Sequence, residues 1–265
     1  MISDRKTLHP GEVALARGAL YRLCAQAFRH PGAGWKDEWD AIASAMGAAL
    51  EVLGLDRSGT DELADAFDLV WAASRELAPI QRAHARLVGH SPRAGVTPYE
   101  TEWTGSAGEL LQYHLLADLG GFYRAFGLEL APGCDERADH ISIELCFLQF
   151  LCAKEALGAE RGLTELAEAA RAGQRQFLAE HLLRWADSLC TRVLREDPRG
   201  FHGFAAGLLA AFLRTEGARL AIVPVGEALA ELGESSLALE DCCVGCELAV
   251  KCGSADPPGP AGNHG

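Results

Sequence analysis

Apolar residues recur along this chain at the 3.6-residue spacing of a helix face, and no stretch sustains the two-residue alternation of a half-buried strand. Residues 11–29 carry apolar side chains at 13, 16, 20, 23, 24, 27 and 28. Residues 36–54 repeat the pattern through Trp39, Ile42, Met46, Ala49, Leu50 and Leu53. Ser58 with Asp61 reads as a capping box opening a helix through Leu63, Phe67, Val70 and Trp71. Ser106 with Glu109 opens another through Leu110, Leu111, Leu115 and Leu119, which Gly120-Gly121 is expected to interrupt or bend before Phe122, Tyr123 and Phe126 resume it. Pro132-Gly133 then breaks the chain, and apolar residues at 141, 145, 148, 151 and 152 mark the next helix, with Asp139 and His140 in its first turn. Two more helices are expected over about 163–195 and 199–215. The pattern predicts an all-α fold, helix packed on helix. One globular multi-helix domain is expected over residues 1–222, followed by a cysteine-bearing tail over 223–265.

Two segments escape the periodicity. Residues 79–104 read as a long connection punctuated by proline and glycine, and long irregular loops inside compact domains are usually functional. The tail from about Pro224 holds Cys242, Cys243, Cys246 and Cys252, then a Pro/Gly-rich end whose composition predicts disorder.

Composition narrows the partners. Alanine, leucine, glutamate and arginine dominate, which favours helix. A net charge of −13 argues against nucleic acid, whose phosphates need a basic surface, and suits a basic peptide steered towards an acidic one. No secretory start and no apolar run long enough to span a bilayer is read, so a soluble, cytoplasmic protein is expected. Of nine cysteines, those at 24, 134, 146, 152 and 190 are expected to be reduced and to serve as small core residues.

Enzyme signatures are missing from the reading: no phosphate-binding glycine loop, no nucleophile elbow, no His-Glu-x-x-His. The candidate chemistry gathers instead around Asp139, His140 and Glu144. The last two lie one turn apart on one helix face. Asp139 reads either as a first-turn acid favoured by the helix dipole or as a polar hook for a peptide. His181 and Trp185, at helical spacing, read as core residues or as part of an interface. In the tail, Cys243 and Cys246 flank Gly245 in a chelating turn that Cys252 and Cys242 extend to four thiolates. Zinc, an iron–sulfur cluster and a metal-free tail of reduced thiols all remain open.

Four stretches occur in an order that resembles the TorD/DmsD/NarJ group of redox-enzyme maturation chaperones. They are Arg86 to Gly89 approaching Pro98-Tyr99-Glu100, Leu119 to Leu128, Asp139 to Leu145, and Phe177 to Trp185, within a resemblance covering about residues 12–215. After Trp185 the chain departs from the group, continuing Ala186-Asp187-Ser188 instead of with a proline and an aromatic. The resemblance implies an all-helical cytoplasmic chaperone without catalytic turnover. Its implied partners are the twin-arginine leader and the immature catalytic subunit of a molybdenum-cofactor oxidoreductase. A leader of that kind presents two guanidinium groups followed by an apolar stretch, so its receptor needs carboxylates and an apolar groove. Glu100, Glu102, Asp139 and Glu144 are the candidate carboxylates, and Tyr99, Trp103 and Trp185 the candidate groove, with His140 and His181 beside them. The rival reading is an iron–sulfur redox or cluster-transfer protein that uses the tail cysteines on a helical scaffold.

Overall fold

The fold was obtained as a computed structural model, which describes residues 8–55, 60–88, 95–103, 108–134 and 136–224. Ten α-helices appear among these residues: α1 (Pro10–Phe28), α2 (Trp35–Ser44), α3 (Met46–Leu55), α4 (Thr60–Ala73), α5 (Leu77–Val88), α6 (Gly108–Ala125), α7 (Ile141–Arg161), α8 (Thr164–Phe177), α9 (Leu183–Glu196) and α10 (Phe201–Arg219). A 3₁₀ turn (Glu100–Trp103) precedes α6, and a π turn (Leu178–Leu182) joins α8 to α9. The only strand-like pairing among the described residues is an isolated antiparallel bridge between Tyr99 and His140. The all-α expectation holds.

α1 is the axis of the bundle. Pro10 sits at its first position, and His9 and Glu12 close a capping box: Gly11 N–H donates to His9 Nδ1 at 3.1 Å, and His9 N–H to Glu12 Oε2 at 3.0 Å. Its largest interface is with α7, and α2, α3 and α10 cover other faces. The α7–α8 hairpin turns at Gly162, whose φ of 66° is the left-handed cap that favours glycine. One turn earlier, a Cβ on Gly158 would lie 2.7 Å from Ala167 N, so only a glycine lets the two helices cross this closely.

A charged cluster lies at the heart of this packing. Buried Arg17 on α1 donates through Nε to both Glu216 oxygens of α10 (2.8 and 2.9 Å) and through Nη1 to Glu155 of α7 (3.0 Å). Its Nη2 reaches Gln174 of α8, which in turn donates to Glu155 at 2.8 Å, while Tyr21 donates to Glu216 at 2.9 Å. Burial alone would raise the Glu155 carboxyl; the Gln174 hydrogen bond and the Arg17 and Arg171 charges overcome that and hold it below its ordinary value. Four helices are thus registered by one guanidinium.

Several sequence expectations change here. The helix expected over 36–54 is broken at Ala45, where neither proline nor glycine marks the break. The first ten residues of the expected 79–104 loop belong to α5, with Pro79 in the first turn, where a missing N–H is tolerated. α6 runs unbroken through Gly120-Gly121. α7 starts at Ile141, so Asp139 and His140 precede it and are not in its first turn. The long helix expected over 163–195 carries a π turn at its centre. Cys24, Cys152 and Cys190 are buried as expected, but Cys134 and Cys146 are exposed. The capping residues Ser58 and Ser106, and the whole cysteine-bearing tail with Cys242, Cys243, Cys246 and Cys252, lie outside the described residues.

Candidate functional site

The site is assembled where the 95–103 segment crosses the start of α7. Ile141 N–H donates to Pro98 O at 2.9 Å and Glu100 N–H to Asp139 O at 3.0 Å, the two bonds of the isolated bridge. His140 then caps α7: its Nδ1 accepts the Ser142 backbone N–H at 3.1 Å. That bond needs Nδ1 unprotonated, in keeping with burial, which lowers the His140 pKa against the pull of Glu136. His140 thus closes the N-terminal end of α7.

Asp139, fully buried, turns its carboxylate back under the 3₁₀ turn. Its Oδ2 accepts from Thr101 N–H (3.2 Å) and Thr101 Oγ1 (2.7 Å). Arg137 completes the shell with two parallel bonds, Nε to Oδ1 at 3.0 Å and Nη2 to Oδ2 at 2.7 Å. Burial would raise this carboxyl, but the Arg137 and Thr101 hydrogen bonds win and hold it below its ordinary value. The same guanidinium donates to Thr101 Oγ1 at 2.7 Å, lies 4.3 Å from the Tyr99 ring centre and approaches Glu102 at 3.5 Å. Tyr99 donates its hydroxyl to Glu136 at 2.9 Å and packs its ring edge-on to His140, centroids 5.1 Å apart.

Beneath this layer lies a second one. Glu100 faces His181 of the π turn, Oε2 to Nδ1 3.1 Å, and His181 Nε2 points towards Asp118 at 3.4 Å without hydrogen-bond alignment. Glu144 accepts from Trp185 Nε1 at 3.4 Å, and its other oxygen, Oε1, is buried with no partner. Burial and then the nearby Glu100 charge push the Glu144 carboxyl well above its ordinary value, which favours its neutral form. Trp103 donates to Thr97 O at 3.0 Å and its ring lies 6.4 Å from that of Trp185. The π turn has a visible use: it brings His181 back to Glu100 while leaving Trp185 in the core.

All eight candidates expected from the sequence, Tyr99, Glu100, Trp103, Asp139, His140, Glu144, His181 and Trp185, therefore belong to one connected network. Their exposure is not what an open groove would have: only Tyr99 is part-exposed, and the other seven are buried, with Trp103 and Trp185 in the apolar core. Of the four candidate carboxylates, Glu102 alone is on the surface. Sequence reasoning passed over Arg137, Thr101, Asp118 and the hydroxyl of Tyr123, which donates to Ala138 O at 2.8 Å. Arg137 was legible only as an arginine two residues before the chosen aspartate. No group of three or more His, Cys, Asp or Glu among the described residues is arranged to hold a metal ion.

Fold and site together define an all-helical protein in which three distant chain segments meet through buried carboxylates, with an arginine at the rim. The chain is a member of the nitrate reductase delta subunit family, whose sequence model matches residues 53–191, just over half of the chain and every one of the eight candidates. It is 29% identical over 132 residues to the "Chaperone protein TorD" of Photobacterium profundum, covering 49% of this chain and 58% of that one. It is 39% identical over 71 residues, 27% of this chain and 31% of the relative, to the "Perchlorate reductase assembly chaperone protein" of Dechloromonas aromatica. It is 24% identical over 165 residues to the TorD chaperone of Vibrio parahaemolyticus, covering 62% and 74%. The matched region thus spans little more than half of the first relative and a third of the second. No solved structure matches the chain.

Proposed function

We propose that this protein is a maturation chaperone, without catalytic turnover, for the catalytic subunit of a molybdenum-cofactor oxidoreductase. It acts in the cytoplasm, binding the twin-arginine leader and the immature enzyme while cofactors are inserted. The observation that carries the reading is family membership over the segment that contains the whole polar network, together with relatives named as chaperones and as a reductase assembly chaperone. The net charge of −13 suits a basic leader. No described helix is long and apolar enough to cross a membrane. The test is calorimetry with a synthetic twin-arginine leader. Affinity should fall as salt rises through the range that screens exposed pairs, and fall further when both arginines become glutamine. Binding indifferent to both would sink the leader reading.

The tail cysteines favour a second element, a zinc ion or iron–sulfur cluster held by Cys242, Cys243, Cys246 and Cys252. Four thiols within eleven residues supply the soft donors that either would take. Elemental analysis and the visible spectrum of anaerobically purified protein decide between them. A brown protein would support the rival iron–sulfur redox or cluster-transfer reading; metal content unchanged by Cys246→Ser would remove both.

A further inference from the structure

Arg137 is an odd arginine. Its side chain is 46% exposed, yet it is held on every side that is not solvent. Asp139, 0% exposed, takes its fork bidentately, Thr101 Oγ1 takes a third bond, Glu102 stands at the outer edge and the Tyr99 ring forms the floor. A buried carboxylate, a hydroxyl, an outer carboxylate and an aromatic face are the complement of a planar guanidinium, not of an ammonium. The rest of the shell is fixed without Arg137: Thr101 holds Asp139 through its own backbone and hydroxyl, and the Tyr99 hydroxyl is tied to Glu136. By contrast Arg137 enters from a short connecting segment, only two residues from the carboxylate it fills. Asp139 and Thr101 hold each other without Arg137, so the inner wall stands when the guanidinium leaves.

We propose that Asp139, Thr101, Tyr99 and Glu102 form a guanidinium-binding cradle that Arg137 fills in the free protein, and that an arginine side chain of a bound peptide takes its place. The identity of that peptide as a twin-arginine leader rests on the function proposed above; the cradle itself does not. Exchange of one guanidinium for another leaves the buried Asp139 charge compensated throughout, which avoids the cost of an unpaired buried charge. It also makes the arginine contact nearly neutral in net affinity. A ligand must then add contacts beyond its arginine, since a tethered competitor stands at an effective concentration in the millimolar range or above. Isolated arginine should not displace Arg137; a longer peptide should.

The experiment uses the full chain. Arg137→Ala should lose thermal stability, recover it in millimolar N-methylguanidinium but not in methylammonium, and bind the leader more tightly than wild type. If the cradle stands open about one-tenth of the time, removing the occupant raises affinity about tenfold. Arg137→Lys, which keeps the charge but not the fork, covers the case where the alanine variant does not fold, and should also bind the leader more tightly. In wild-type protein labelled with ¹⁵N-arginine, the Arg137 Nε–H signal should move to its solvent position as unlabelled leader saturates. Saturation with that signal unmoved, or no response of Arg137→Ala to N-methylguanidinium, overturns the cradle. If leader binding is absent from every variant, the leader reading falls while the N-methylguanidinium response still decides the cradle.

Discussion

His181 Nδ1 lies 3.1 Å from Glu100 Oε2, joining the π turn to the 3₁₀ turn across eighty-one positions of sequence, with both side chains buried. Neither turn is regular structure, and each owes its shape partly to the other. His181→Ala would leave a buried carboxylate facing an empty space, at a cost of about 1–3 kcal/mol. Urea unfolding should register that loss. Hydrogen exchange at Thr101 and Glu102 should quicken beyond the rest of the molecule, since the 3₁₀ turn loses its inner contact. A variant as stable as wild type would show that the pairing adds nothing.

Acid should weaken the fold at a second histidine group. His84 and His202 are buried with ring centroids 5.5 Å apart, and His202 has neither ring nitrogen hydrogen-bonded. Burial, and then the neighbouring His30 and His140, lowers His84 to about 4; burial, and then His84 and Arg86, lowers His202 to about 3. Unfolded histidine titrates near 6.5. The folded state therefore resists protonation, and the stability this represents is full above about pH 6.5 and drains as pH falls towards 4. Thermal midpoints between pH 7 and pH 4.5 should fall steeply for wild type and less steeply for His202→Phe.

Glu144 has the opposite sign. Its carboxyl is raised, so its contribution is whole below the unfolded value of about 4.3 and is lost as pH climbs through its folded value. Glutamine imitates the neutral acid and keeps a carbonyl for Trp185. Glu144→Gln should thus melt at a higher temperature than wild type at pH 8, with the gap closing at pH 4. An unchanged gap across that range would show that Glu144 is not held neutral.

The Arg17 cluster should be the least tolerant position described. Arg17→Ala takes from buried Glu216 its closest cation, while Glu155 keeps Arg171 and Gln174, and breaking a buried pair from one side costs about 3–5 kcal/mol. That is a large part of the stability of a domain. The variant should unfold at markedly lower urea concentration, and leader affinity per folded molecule should stay near wild type, because the cluster lies outside the candidate site.

Helices were legible wherever apolar residues kept a long phase, as in α1, α7 and α10. α5 was missed because its inward stripe is Ile80, His84 and Leu87, and a histidine at the middle position hides the period. The gathering of the eight candidates was foreshadowed by motif order, but their burial was not, since nothing in a string of residues shows that Asp139 folds inward under Thr101. Arg17 could have been noticed: it sits three or four residues from Val13, Leu20 and Tyr21, on a stripe that is otherwise apolar. A charge in that register needs partners, and those are far away in sequence.

That distance has a consequence for synthesis. Glu216 follows Arg17 by 199 residues, so at about 5–20 residues per second roughly 10–40 s pass on the ribosome before the guanidinium meets its main acceptor. Until α10 emerges, the Arg17 guanidinium has Glu155 of α7 and Gln174 of α8 to meet it, one carboxylate instead of two. α1 can therefore dock on α7 and α8 with its central cation only partly neutralised until α10 arrives, and truncated chains ending before Glu216 should be looser and more protease-sensitive than the full chain.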